Sequence, residues 1–123
     1  MKQRILIVDD EPNIVLSLEF ILSRNGFETA VARDGDEALQ AVERFRPDLV
    51  LLDVMMPRRD GYEVCQTIRA AGWEDLKIVM LTAKGRDTEV AKGLAVGADS
   101  YVTKPFSTRE LIEQVRTLLA EDG

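Results

Sequence analysis

No histidine occurs in this chain, which excludes Ser-His-Asp and Cys-His catalysis and any histidine-ligated metal. The single cysteine, Cys65, cannot close an internal disulfide, so a reducing compartment, the cytoplasm, is expected. Cys65 itself reads as a small core residue on a helix. No apolar stretch approaches the ~18 residues of a membrane span. The four apolar residues after Met1-Lys2-Gln3-Arg4 run straight into acids, too short for a secretory signal, and no membrane partner is expected. Positive charge is outnumbered, 16 Lys and Arg against 22 Asp and Glu. The net charge is −6 and Arg58-Arg59 is too short a basic cluster to matter, so no direct nucleic-acid binding is expected.

What is present is a globular composition, 46% hydrophobic and 31% charged, on 123 residues, enough for one core and not two; residues 1–123 are read as a single domain. Unbroken apolar runs rich in Ile, Leu and Val fill residues 5–8, 49–52 and 78–81. Runs that do not alternate with polar residues belong to strands buried on both faces of a parallel sheet. Residues 27–31, with Phe27, Thr29 and Val31 on one face, make a weaker strand, and residues 100–103 a short fifth.

Helical periodicity separates them. Ile14, Val15, Leu18, Ile21 and Leu22 share a face between Pro12, suited to a first helical turn, and Gly26, suited to the position past the end. Ala38, Leu39, Val42 and Phe45 form a second face, stopped by Pro47. Val64, Cys65 and Ile68 form a third after Asp60-Gly61; Val90, Ala91, Leu94 and Ala95 a fourth; Leu111, Ile112, Val115, Leu118 and Leu119 a fifth, with Ser107 and Glu110 as a capping box. Trp73 reads as loop packing. Five β-α units predict an α/β, doubly wound fold with one parallel five-stranded sheet. Ligands of such sheets bind at the carboxyl ends of the strands, where the strand order reverses.

The strand ends are therefore informative. Strand one ends in Asp9-Asp10, strand three in Asp53, strand four in Thr82, and strand five in Lys104 before Pro105. In the order 2-1-3-4-5 these share one rim. Clustered carboxylates call for a counter-charge, and Mg²⁺ suits oxygen ligands that leave room for water and phosphate oxygens. Lys104 adds a second positive charge and Thr82 a hydroxyl donor, which together suit a phosphoryl group. Asp9 and Asp10 form a metal-binding pair. Asp53 stands alone after four apolar residues and is read as the phosphoacceptor, forming an acyl phosphate. Taken alone, Asp9-Asp10-Glu11 would also suit a helix start, and Glu11 is read that way rather than as a ligand.

The stretches "LIVDDEP", "DLVLLDVMMPRRDGYEV", "IVMLTA", "GLAVGADSYVTKPF" and "TREL" carry a resemblance over essentially the whole chain. It resembles the receiver domain of two-component response regulators, a flavodoxin-like fold of the chemotaxis-regulator kind. That resemblance implies a phosphoryl group taken by Asp53 from a sensor histidine kinase or phosphotransfer protein, in a self-catalysed, Mg²⁺-dependent step followed by self-catalysed hydrolysis. It implies Mg²⁺ held by Asp10 with Asp9, by Asp53 and by the Met55 backbone carbonyl, and a cis Lys104–Pro105 bond. Tyr101 takes the aromatic switch position, turning inward when Thr82 moves toward the phosphate and so altering the face of the fourth helix, fifth strand and fifth helix, which would address a downstream protein target or an output domain. Ser100 and Gln114 depart from a charged pair, Asp and Arg, that helps form a dimer face in one subfamily. The resemblance further implies that side chains at Met55 and Lys84 flank the route of attacking water.

Other functions on such a fold fit less well. A flavin carrier needs a Ser/Thr/Gly-rich phosphate loop where this chain has "DDEP", and an aspartyl phosphatase usually places a second Asp where Met55 stands. The alternative to a phosphorylated switch is a degenerate receiver, a phosphorylation-independent docking module.

Overall fold

The computed structural model describes residues 2–56, 60–83 and 87–120; Arg58-Arg59, Lys84 and the side chain of Val90 lie outside the described part. The elements are β1 (Arg4–Val8), α1 (Pro12–Arg24), β2 (Glu28–Ala32), α2 (Gly35–Phe45), β3 (Leu49–Asp53), α3 (Gly61–Ala70), β4 (Lys77–Ala83), α4 (Asp87–Ala95), β5 (Ser100–Lys104) and α5 (Thr108–Ala120). All strand pairs are parallel, in the order β2-β1-β3-β4-β5.

Strand alternation sorts the apolar runs into two cores. Ile5, Ile7, Leu49, Leu51, Val79 and Leu81 face α1 and α5, meeting Leu18, Leu22, Leu111 and Val115. Leu6, Val8, Val50, Leu52, Ile78 and Met80 face the other way, against Val42, Val64, Cys65 and Ile68 of α2 and α3. Every residue of β3 is buried, which is why its sequence carries no polar alternation before Asp53. Each fully buried Leu or Ile contributes roughly 1.5–3 kcal/mol, so β3 and β1 hold the rim residues on the least compliant part of the molecule.

The helix boundaries follow local chemistry. Pro12 opens α1, and Gly26 lies past its end at φ 89°. The Asp34 and Asp60 carboxylates accept from the N–H groups of Glu37 and Glu63 at the starts of α2 and α3. Ser107 accepts from the Glu110 N–H at the start of α5. Trp73 packs against the α2–α3 core, with the Arg46 guanidinium 5.8 Å from its ring centre.

Two expectations are corrected. The second strand begins at Glu28, not Phe27. β1 starts at Arg4, whose partner is Glu28, while the Phe27 N–H turns back to Leu22 O and its ring enters the core. Of the face expected of the fourth helix, Ala91, Leu94 and Ala95 are exposed, and among the described side-chain positions of that helix the buried one is Gly93. A Cβ at Gly93 would stand 3.1 Å from Met80 Cγ, so α4 packs on β4 through its glycine, with Ala91, Leu94 and Ala95 turned outward.

Candidate functional site

Register builds the site. Val8 pairs with Leu52, so Asp9 and Asp53, each one residue further, lie side by side. Asp53 pairs with Leu81, Thr82 with Thr103 and Ala83 with Lys104, which carries β4 and β5 to the same rim. Asp53 and Lys104 continue the α1/α5 face of Leu51 and Val102, whereas Thr82 continues the opposite face of Met80. β4 stands between β3 and β5, which are therefore about 9–10 Å apart. Lysine has a stem long enough to cross that gap.

It does cross. Lys104 Nζ lies 2.8 Å from Asp9 Oδ2 and 3.4 Å from Asp53 Oδ1. Asp9 is fully buried, and its other oxygen accepts the Glu11 N–H at 3.0 Å. Glu11 itself is exposed, at the N-cap position of α1. Asp53 is 6% exposed and accepts the Met55 N–H at 3.3 Å, while the Met55 side chain points to solvent. Asp10 is exposed, yet one oxygen from each of Asp9, Asp10 and Asp53 falls within 4.8 Å of the others. The Lys104–Pro105 peptide bond is cis.

Electrostatics follow from this packing. Burial, then the Asp9 charge, push the Asp53 carboxyl from the ordinary 3.8 up to about 6, against the opposing pull of Lys104. At neutral pH Asp53 is still an anion, and a more basic one than a free aspartate. Burial works against the charge on Lys104, but its hydrogen bond to Asp9 and the Asp53 and Asp9 charges outweigh that and raise its proton affinity. Thr82 is 2% exposed, and its Oγ1 has no hydrogen-bond partner among the described residues. A buried hydroxyl left so costs about 1–3 kcal/mol. The residues present thus fit a bound divalent cation and an oxyanion: carboxylate oxygens converge on one point, and an unpartnered donor lies at the same rim.

Asp9, Asp10, Asp53 and Lys104 are brought together. Thr82 lies next to them by register, and Met55 adjoins through its backbone N–H. Tyr101 stands apart; it pairs with Met80, two residues before Thr82, and is 43% exposed with its ring outward. Cys65 lies buried in the α3 core, and burial pushes its thiol up to about 11, which leaves it inert. One contributor was hidden in the sequence, where Gly61 reads only as a turn residue before a helix. A Cβ there would overlap the Asp53 carbonyl oxygen and come 2.9 Å from Val54 Cα, and the Gly61 N–H donates to Val54 O at 2.9 Å. Gly61 therefore lets α3 seat directly on the backbone of Asp53.

Comparison with known proteins agrees with this geometry. The response regulator receiver domain family matches residues 5–116. The DNA-binding response regulator MtrA of Mycolicibacterium smegmatis is 50% identical over 119 residues, covering 97% of this chain and 51% of that protein. The alkaline phosphatase synthesis transcriptional regulatory protein PhoP of Bacillus subtilis is 46% identical, covering 97% and 49%. The chain thus spans about half the length of the curated relatives it matches. Among solved structures, a response regulator from Chloroflexus aurantiacus superimposes with TM-score 0.94 at 37% identity, over 98% of this chain and 99% of that one. The receiver domain of NtrX from Brucella abortus gives 0.89 at 35% identity, over 94% and 98%. With the strand order, the acidic rim and these likenesses in agreement, the chain belongs to the response regulator receiver domain family of two-component systems.

Proposed function

We propose that residues 1–123 act as one receiver unit that takes a phosphoryl group on Asp53 from a histidine kinase or phosphotransfer protein in the cytoplasm. The observation that carries this reading is Lys104 reaching across β4 to touch both Asp53 and Asp9. An Asp53 carboxylate oxygen attacks phosphorus, and the bond from phosphorus to the donor's nitrogen or oxygen breaks. The electron pair leaves with the donor, which picks up a proton. The product is an acyl phosphate, which water later hydrolyses to carboxylate and inorganic phosphate. The raised basicity of Asp53 favours it as nucleophile while leaving it ionised at neutral pH.

Asp9, Asp10, Asp53 and the Met55 carbonyl would hold Mg²⁺, whose charge offsets the repulsion among carboxylates and phosphoryl oxygens. Lys104 would then shift its hydrogen bond from Asp9 to a phosphoryl oxygen. The Thr82 hydroxyl would gain in that oxygen the acceptor it lacks. Its movement makes room for the Tyr101 ring and changes the α4-β5-α5 face. Exposed Ala91, Leu94, Ala95 and Tyr101 give that face an apolar character suited to a protein partner or an output domain. Nucleic-acid binding, named for MtrA, is not assigned to these residues, which carry a net acidic charge.

The test is incubation with Mg²⁺ and a small phosphodonor. One phosphate per chain is expected, labile to base and hydroxylamine and absent from Asp53→Asn. Stable failure to take up phosphate would leave the chain a docking module.

A further inference from the structure

Behind the acidic rim, at the opposite end of the strands, one arginine closes several loops at once. Arg69, in the last turn of α3, donates through Nε to Gly97 O at 2.9 Å. One terminal nitrogen donates to Trp73 O and Leu76 O, both at 2.6 Å, and the other to Asp99 Oδ2 at 2.8 Å. The same Asp99 oxygen accepts the Ile78 N–H at 2.8 Å, and the Asp99 N–H donates to Ile78 O at 2.8 Å. The side chains are 18% and 31% exposed. Glu74 O lies 3.4 Å from the nitrogen that meets Trp73 O and Leu76 O, so a planar fork with five donors engages four carbonyls and a carboxylate here, which a lysine cannot do.

The fork grips the end of α4. Gly97 follows that helix at φ +112°, and a Cβ there would stand 2.8 Å from Arg69 Cγ, so glycine is demanded both by conformation and by the arginine's stem. Two further ties from α3 reach the same half of the helix. Cys65 Sγ lies 3.6 Å from Val96 O, and Lys92 Nζ lies 4.5 Å from the centre of the Tyr62 ring. Thr82 sits at the other end of β4, where α4 begins.

We infer that Arg69, with Asp99, is a positioning residue for the output: it pins the C-terminal end of α4 and the start of β5 to α3 and β4. This inference rests on the proposed switching. A displacement arising at Thr82 then tilts α4 about Gly97 and does not slide it along the sheet. Packed elements of this kind move between discrete arrangements, and the anchor selects which one is reachable.

The test uses the parent protein with Mg²⁺ and beryllofluoride as phosphoryl mimic, read by amide NMR shifts. Shifts are expected at Asp53 and Thr82, along the early part of α4 and at Tyr101, and are expected to fade to the level of the α1 interior at Gly97, Ala98 and Asp99. In Arg69→Met the site shifts persist, while the response spreads through Gly97–Asp99. Arg69→Lys, which keeps charge and loses the fork, is expected to resemble Arg69→Met. Shifts at Gly97–Asp99 of the parent as large as those at Tyr101 would overturn the pivot alone. Silence of both α4 and Tyr101 while Asp53 responds would overturn the relay and the pivot together, and silence at Asp53 itself would overturn the proposed phosphorylation as well.

Discussion

Asp53 is a buried anion held against another anion, and what Lys104 and the Met55 N–H return does not offset the cost of burying its charge. Its folded-state proton affinity, near 6, exceeds the ordinary 3.8. The folded protein therefore holds this proton more tightly than the unfolded chain. The stability it contributes is complete below about pH 4 and is lost as pH rises through about 6. Asp53→Asn, which has no charge to lose, is expected to gain on the parent across that window in metal-free buffer. The gain should level off near neutral pH at about 1–2 kcal/mol after allowance for solvent screening. Urea titrations from acid to neutral pH check it, and a constant difference between the two proteins would contradict it. Thr82 offers a second single-residue test. Thr82→Val keeps the shape and removes the orphaned hydroxyl. It should stabilise the unphosphorylated protein by about 1 kcal/mol, while weakening the Tyr101 response to beryllofluoride. A destabilised Thr82→Val would mean that the hydroxyl already has a partner.

Among the elements, the contact of α3 with the end of β3 decides how rigidly Asp53 is placed. Gly61→Ala drives a methyl into the Asp53 carbonyl oxygen, and backbone cannot swing aside as a side chain can. A loss of about 1–3 kcal/mol is expected, together with a weaker thermal response to Mg²⁺, because the carboxylate moves with its backbone. Gly26→Ala is the control. It carries positive φ with nothing within 4 Å, so it should cost stability through conformation alone and leave the Mg²⁺ response intact. Calorimetry of both variants with and without Mg²⁺ separates the two effects; equal Mg²⁺ responses would show that the seat of α3 does not place Asp53.

The two cores meet at one sheet, so ligand binding at its rim stabilises the fold as a unit. If Mg²⁺ binds the folded carboxylate cluster and not the unfolded chain, as proposed, the expected gain at a hundredfold excess over Kd is about 2.7 kcal/mol. Asp10→Ala should lose most of that gain. Without metal it should match or exceed the parent, since the clustered charges repel. A parent melting temperature indifferent to millimolar Mg²⁺ would remove the metal from the mechanism.

Much of this was legible in the order of residues. Unbroken Ile, Leu and Val runs can only be satisfied between two layers of helices, so "LVLL" before Asp53 and "ILIV" before Asp9 already announce a parallel sheet with its acids at one rim. Local periodicity and turn residues also placed α1, α2, α3 and α5, because those signals act over a few residues. Long-range contact settled the rest. The outward face of α4 depends on Met80 lying beneath Gly93, the need for glycine at 61 on the Asp53 carbonyl, and the partner of Lys104 on the width of β4 between it and Asp53. The basicity of Asp53 depends on how much water the assembled rim excludes and how near Asp9 comes. Periodicity names the residues that face a neighbour, but close approach and exclusion of water are properties of the assembled sheet, and they turn an acidic rim into a site.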